Sequence, residues 1–397
     1  MWKRLQPART PLALKNLSHN LRRLAAALLG IGFAVVLMFA ETGFMYGLLD
    51  SQAQLIADLK ADLVLVNRAQ YALPAGEKFS AQRAYQARSC PGVAAVYPLY
   101  IEAFNSVWKE PVAKKYCPIR VLAFDLDHPV FQTPEVNEQV DSLRPPETAL
   151  VDSKSKQKSY GFPGPGEEPG PEEEAEICDR SVRLVGKFPL GTDFANDGNL
   201  VMSAPNFAGY FPYRAIGDDP LSVVDLAVVR LEPGADAAAV QARLEALLPD
   251  DVSVLTKDQF LFNEKDFWAN STPIGSIFIT GTVVGFLVGV IICYQVIYSD
   301  IAEHEGEYAT LKAMGYPNRY FVSVILQTSL YLSILSYLPG LLLSLVLYAI
   351  LAEQTGLLMS LTLPRAALVF ALTLGMCTLS GCLAMRKVFA ADPADLF

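Results

Sequence analysis

Apolar positions along the chain fall into two kinds of pattern. Four runs are long and continuous: 24–49, 273–298, 320–352 and 366–385. About 20 helical residues cross a hydrocarbon core of ~30 Å, so each run predicts a membrane-spanning helix. The second and third runs carry no charge. The third is long for one straight crossing, and Pro339-Gly340 leaves only a stub on its far side. It predicts one long helix that can kink there. The first run exceeds the h-region of a signal peptide, roughly 7–15 residues, and predicts a retained span.

Between the first two runs, residues 50–272 alternate in short segments. Asp62–Val66 predicts a strand, Ser80–Ser89 a capped helix, and "VAAVYPLYIEAF" a strand. At the other end Ser222–Leu231 predicts a strand, Ala235–Pro249 a helix and Val252–Leu255 a strand. Both ends thus read strand–helix–strand, which predicts one membrane-proximal subdomain built from the two flanks. Ile119–Phe124, Ser181–Phe188 and Asn199–Ser203 predict the strands of a separate, inserted distal sheet. Residues 153–176 are dominated by Lys, Ser, Pro, Gly and Glu, a composition that predicts a mobile loop burying no apolar area. The fold class is therefore an α-helical membrane protein with four transmembrane helices and a large extracytoplasmic α+β domain between the first and second spans.

Charge orients the chain. Lys3, Arg4, Arg9, Lys15, Arg22 and Arg23 precede the first span, and Arg386 and Lys387 follow the last. Lys312 and Arg319 lie between spans two and three, whereas the connection 353–365 holds only Arg365. The positive-inside rule then places both termini and 299–319 in the cytoplasm and 50–272 outside, in the inner (plasma) membrane. The formal net charge is −9, and the outer segment is net acidic, which excludes a nucleic-acid surface. Residues 1–23 predict a cytoplasmic amphipathic helix in contact with membrane lipid, or a basic extension of the first span. Residues 386–397 form a cytoplasmic tail.

Little catalytic chemistry is written in the chain. His19, His128 and His304 lie far apart, and no HExxH, GxSxG or GxxxxGK[ST] pattern occurs. No cofactor or metal is implied. Cys90, Cys117 and Cys178 allow at most one disulfide, and Cys293, Cys377 and Cys382 read as small packing residues of spans. Glu41 is the one carboxylate within a span, either a proton-relay group or a side chain reaching interfacial water. Gly281, Gly285 and Gly289 share one face of span two, a spacing that lets helices approach closely or relieves crowding.

The segment 299–319 stands out. "EGEYATLKAMGYP" is made of helix formers and stops at Gly315 and Pro317. A short helix tied at both ends to spans can act as a lever. Tyr308, Leu311 and Met314 fall on one face, predicted to bury against a partner, with Glu303, Glu305 and Glu307 at the rim. Thr256–Asn270 predicts an amphipathic stalk helix leading into span two, with Phe260, Phe267 and Trp268 on its apolar side and Pro273 as its weak point.

"EHEGEYATLKAMGYPNRYF", with its step Leu311-Lys312-Ala313-Met314-Gly315, resembles the cytoplasmic loop after span two of FtsX/MacB-type (type VII) ABC transporter permeases. The single span, large outer domain, three further spans and "ADPADLF" ending are similar too. "RVLAFDLDHPVF" and "LVGKFPLGTDFANDGNLVMS" resemble the outer domain of DevC-type permeases. Glu41 and the acidic stretch 167–176 depart from the pattern. The resemblance implies a homodimeric permease, with ATP hydrolysis in a separate ABC ATPase gripped by the coupling helix. It also implies a periplasmic adaptor protein and an outer-membrane channel. The alternative is an FtsX-like signalling scaffold that activates a cell-wall hydrolase without transport.

Overall fold

The computed structural model describes residues 21–390, apart from 75–76, 111–113, 156–159, 163–173 and 216. The N-terminal amphipathic helix, most of the Gly/Pro/Glu-rich stretch and "ADPADLF" therefore lie outside the described residues. The chain divides into a helical unit (to Tyr46, Gly275–Ile350 and from Met359) and a sheet unit (Gly47–Ile274 with Leu351–Leu358).

The sheet unit begins with the end of α1 (Leu21–Asp58), followed by β1 (Leu63–Asn67), β2 (Phe79–Ser80), α2 (Gln82–Arg88) and β3 (Val93–Glu102). There follow β4 (Val107–Lys109), β5 (Tyr116–Pro118), β6 (Arg120–Phe124), α3 (Pro134–Glu138) and β7 (Thr148–Asp152). The chain continues through β8 (Glu174–Ile177), β9 (Arg180–Phe188), β10 (Asn199–Ser203) and α4 (Ala204–Tyr210). Last come β11 (Val223–Val224), β12 (Leu226–Leu231), α5 (Ala237–Leu247), β13 (Val252–Thr256) and α6 (Lys257–Asp266). The predicted separate distal sheet is corrected: eleven strands form one sheet, ordered β13-β1-β12-β3-β6-β10-β7-β9-β8-β4-β5. The seam is β3 against β6, antiparallel, with Leu99 opposite Phe124. Strands β6 and β10 are parallel, as are β7 and β9.

Both faces of this sheet are covered, so its central strands are apolar on both sides. Along β1, Leu63 and Leu65 enter one core with Ala84, Phe207 and Val240, while Val64 and Val66 enter another with Ile56 and Phe260. The expectation that 153–176 buries no apolar area is also corrected. Tyr160 and Phe162 are buried in a stack with Trp108, whose Nε1 donates to the Tyr160 carbonyl at 2.9 Å. Strand β8 takes up the end of that stretch. None of the six cysteines is joined in a disulfide.

The helical unit contains the first part of α1 with α7 (Pro273–Glu303), α8 (Glu305–Ala313), α9 (Asn318–Thr355) and α10 (Leu363–Ala390). Among the described residues four helices, α1, α7, α9 and α10, are long and apolar enough to cross a membrane. Their shared core joins Ala34, Met38 and Phe39 to Val290, Cys293 and Ile297, to Phe321 and Leu332, and to Met376 and Cys377. Pro339 lies inside α9, which continues past it. Buried polar groups bridge helices: Tyr348 Oη donates to the Phe39 carbonyl at 2.5 Å, and Ser380 Oγ to the Val290 carbonyl at 2.8 Å.

The glycines of α7 lie against α1. A Cβ at Gly281 would meet the Glu41 carboxylate at 2.4 Å, and one at Gly285 would touch Leu37 and Met38 at 3.4 Å. At Gly289 it would meet Met376 at 2.3 Å and the Ala34 Cβ at 3.0 Å. Glu41 is half-buried over Gly281, which leaves room for its carboxyl between two helices. Gly289→Leu is expected to push α1 and α10 from α7 and destabilise the helical unit by about 1–3 kcal/mol. Thermal unfolding in detergent checks this; a midpoint within error of the parent would show that the close approach contributes nothing.

Candidate functional site

The element between α7 and α9 is held at both ends by its own backbone. His304 leaves the helical conformation (φ −100°, ψ 19°), and its carbonyl accepts the Glu307 and Tyr308 amides at 3.1 Å. The His304 ring faces back, with Nδ1 2.9 Å from the Asp300 carbonyl, which ties the turn to the last turn of α7. Glu305 and Glu307 sit in the first turn of α8 and Lys312 in its last, each matching the helix dipole. At the far end Gly315 has φ +89°, a conformation open to glycine at little cost. The Gly315 amide donates to the Lys312 carbonyl at 3.0 Å and the Tyr316 amide to the Leu311 carbonyl at 3.2 Å. This is a Schellman ending, which stops the helix at a defined residue and satisfies carbonyls otherwise left open.

The faces of α8 differ from the sequence expectation. Tyr308 is 5% exposed and packs edge-on against Phe321, 5.9 Å between ring centroids. Its burial against a partner is corrected to burial within the chain: it anchors α8 to α9. Leu311 is half-buried against the same helical core. Met314 is 63% exposed and Tyr316 44%, and Glu303, Glu307, Thr310 and Ala313 are exposed as well. Glu305 and Lys312 are half-buried. One side of α8 is thus fixed to the chain, and a mixed acidic–apolar side ending in Met314, Gly315 and Tyr316 is left outward.

The stalk preceding α7 is helical through Ser271 and parts from α7 at Thr272. A capping box starts α6: Thr256 Oγ1 accepts the Gln259 amide at 3.1 Å, and Gln259 Oε1 accepts the Thr256 amide at 2.9 Å. A π-helical turn, Phe267–Ser271, then widens the coil, and Thr272 is extended (φ −115°, ψ 159°) before α7 begins at Pro273. Phe260 and Trp268 are buried, Phe267, Lys257 and Lys265 are half-buried, and Asp258 and Asp266 are exposed.

Two buried charged groups here escaped the sequence reading. Glu264 is 1% exposed; it accepts the Leu73 amide and Trp268 Nε1, each at 2.8 Å. Burial, the largest influence, pushes its carboxyl up to about 7. Its spacing of four from Trp268 was the only local signal. Arg214 is fully buried between Glu102 and Asp225, at 3.2 and 2.5 Å, and nothing local in "FPYRA" marks it. Among the described residues no cluster of His, Cys, Asp and Glu could hold a metal ion.

The sequence matches two family profiles. Residues 24–247 match the MacB-like periplasmic core domain, and residues 279–393 match the FtsX-like permease C-terminal domain. No curated protein matches the chain. Among solved structures, the periplasmic region of MacB from Actinobacillus actinomycetemcomitans is 12% identical, covering 54% of this chain and 95% of that one at a TM-score of 0.35. The extracellular domain of the noncanonic ABC-type transporter YknZ from Gram-positive bacteria is 10% identical, covering 49% and 99% at 0.32. A domain of a putative permease protein from Porphyromonas gingivalis is 16% identical, covering 50% and 90% at 0.30. The profiles carry the assignment, since the first alone spans more than half of the chain and the second covers the element α8 and the helices that follow it. The chain belongs to the FtsX/MacB-type permeases, the membrane components of ABC transporters.

Proposed function

We propose that the chain is the permease subunit of an ABC exporter, and that α8 is its coupling helix. Its outward side, Glu303, Glu307, Thr310, Met314 and Tyr316, seats in a separate ABC ATPase on the cytoplasmic face, with both chain termini on that side. Tyr308 and Leu311 fix α8 to the spans, so movement imposed on the outward side must move α7 and α9. Two copies pair, and ATP-driven closure of the ATPase moves the extracytoplasmic sheet unit. That motion drives export, in the DevC manner, through a periplasmic adaptor and an outer-membrane channel. The observation that supports this most is the pairing within one nine-residue helix of an anchored face, built on Tyr308, with an exposed one.

Met314→Asp tests it. Met314 is mostly solvent-exposed in the chain itself, so the permease should insert and fold as before. In a seated interface the new charge would cost about 2 kcal/mol, roughly thirtyfold in affinity. Co-purification of the ABC ATPase from membranes should fall accordingly, and ATP-dependent export with it. Undiminished pull-down would end the assignment of this face.

A further inference from the structure

Where the chain leaves the sheet unit for α7, it carries a run of aromatic rings that the proposed coupling does not use. Tyr71 packs on Phe267 with 5.2 Å between ring centroids, Phe267 on Trp268 at 5.6 Å, and Trp268 on Phe194 at 5.7 Å. Trp268 is buried among its neighbours, but Tyr71 is 63% exposed and Phe194 61%. Neither exposed ring hangs on a slack loop. The Asp193 carboxylate accepts the Ala195 and Asn196 amides and is itself paired with Arg120, so Phe194 is carried on a turn fixed from within. Asn67 Oδ1 accepts the Ala69 amide and Glu264 accepts the Leu73 amide, which fixes the turn that bears Tyr71. Two braced turns thus hold large rings outward in one contiguous aromatic run, an arrangement that marks a contact surface.

The covalent chain says what lies beside them. Trp268 precedes Pro273, the first residue of membrane helix α7, by one π-helical turn and the extended Thr272. Helical rise through the turn and extended rise at Thr272 make that roughly 8 Å of chain. The headgroup layer on each side of a ~30 Å hydrocarbon core is about 5–8 Å deep. Tyrosines mark the other boundary of the same helix. Tyr294 and Tyr298 pack at 5.6 Å, both partly exposed. From Pro273 to Tyr294 α7 rises about 32 Å, close to the thickness of that core. We propose that Tyr71 and Phe194 dock the sheet unit on the outer leaflet, their rings in the headgroup layer with Phe267 and Trp268 between them. Aromatic side chains favour this layer, where an apolar body meets a wet edge.

Tryptophan quenching in the full-length protein tests this. Phe194→Trp and Tyr71→Trp are conservative changes at exposed positions, and the signal read is the emission added to that of Trp2, Trp108 and Trp268. The proteins are placed in phosphatidylethanolamine–phosphatidylglycerol nanodiscs, with or without phosphatidylcholine carrying a doxyl group near the headgroup end or near the tail end of one acyl chain. The shallow label should lower the added emission about twofold or more, and the deep label less, as befits rings at the interface. Tyr116→Trp is a control of similar exposure on β5, at the opposite edge of the sheet from β13, and should respond only to iodide in the water. Added emission from Phe194→Trp and Tyr71→Trp that iodide quenches as fully as that of Tyr116→Trp would overturn the proposal. Emission shielded from iodide yet untouched by either lipid label would overturn it too, in favour of a second copy or another protein over the rings. None of these readings requires an ATPase, so failure here is separable from failure of the coupling assignment.

Discussion

Replacement of Arg214 by methionine is expected to lower the stability of the sheet unit by about 3–5 kcal/mol, the cost of leaving a buried ion pair with one partner. The guanidinium is fully buried over the Phe207 ring, 5.0 Å to its centroid. One Nη donates to Glu102 and to the Ile101 carbonyl at 2.8 Å, and the other to Asp225. Asp225 also accepts the Ile101 amide at 2.8 Å, so the cluster pins β3 to the turn ahead of β12. Methionine fills similar volume but leaves two carboxylates facing each other with only Lys78, 3.9 Å from Glu102 and partly exposed, as a cation. Burial already raises the Asp225 carboxyl above its ordinary range, even with Arg214 beside it. Without the cation it should take up a proton more readily, so the defect should shrink as pH falls. Urea unfolding followed by limited proteolysis of the full-length protein measures the loss. Adding Glu102→Gln and Asp225→Asn to Arg214→Met should recover much of it, because the only charge then left without its partner is Lys78, which reaches solvent. A single variant within 1 kcal/mol of the parent, roughly the value of an exposed pair, would show that the cluster is solvated.

A second large effect is expected at Glu264, as a dependence on pH. The carboxyl keeps its proton up to about pH 7 when folded, against an ordinary value of 4.5. Between those values the folded chain binds more protons than the unfolded one. Stability from this group is therefore full below about 4.5 and is lost as pH rises through 7. The whole change is about 3 kcal/mol. Ionised, the group still accepts from Leu73 and Trp268, which softens the loss without reversing it. Glu264→Gln has no proton to exchange. The difference in unfolding midpoint between parent and variant should move steadily against the parent from pH 5 to pH 8. A difference independent of pH would mean that Glu264 titrates as an ordinary carboxyl.

What could be seen in the sequence depended on how local the cause was. The membrane helices were legible because length and continuous apolarity suffice. Strands β1, β6 and β10 were legible because Leu, Val and Ala crowd five-residue segments bounded by turns. Tyr160 and Phe162 were not, since two aromatics vanish in a composition of Gly, Pro, Lys and Glu, and the Trp108 that buries them lies far back in the chain. The single eleven-stranded sheet was hidden for the same reason: hydrophobic pattern finds strands, not their neighbours. In α8, a 3.6-residue period put Tyr308, Leu311 and Met314 near one face. It could not say that Phe321 already covers Tyr308, while Met314, past the last full turn, is left in the open. The glycines of α7 showed their shared face by spacing, but Glu41, Met38 and Ala34 as its occupants required the fold. Arg214 and Glu264 each have one partner distant in sequence, Glu102 and Leu73, and an isolated Arg or Glu reads as surface.

Strand β1 carries a consequence for the order of assembly. It is the first strand made, and Leu63 to Val66 are buried on both sides once the sheet is complete. Its two neighbours are the last two strands of the sheet, β12 and β13, with Leu63 opposite Val229 on one side and Thr256 on the other. Every other strand of that sheet made before β12 has at least one partner that is also made before β12; β1 has none, and closing so long a loop is slow. A hydrophobic edge is then left waiting with unpaired amides and carbonyls until nearly all of the segment has emerged. The sheet unit should for this reason be most exposed to misassembly, and most in need of a holding chaperone, before Leu226 is made. Truncations ending just before β12 should aggregate even though nine strands of the same sheet's sequence are already present.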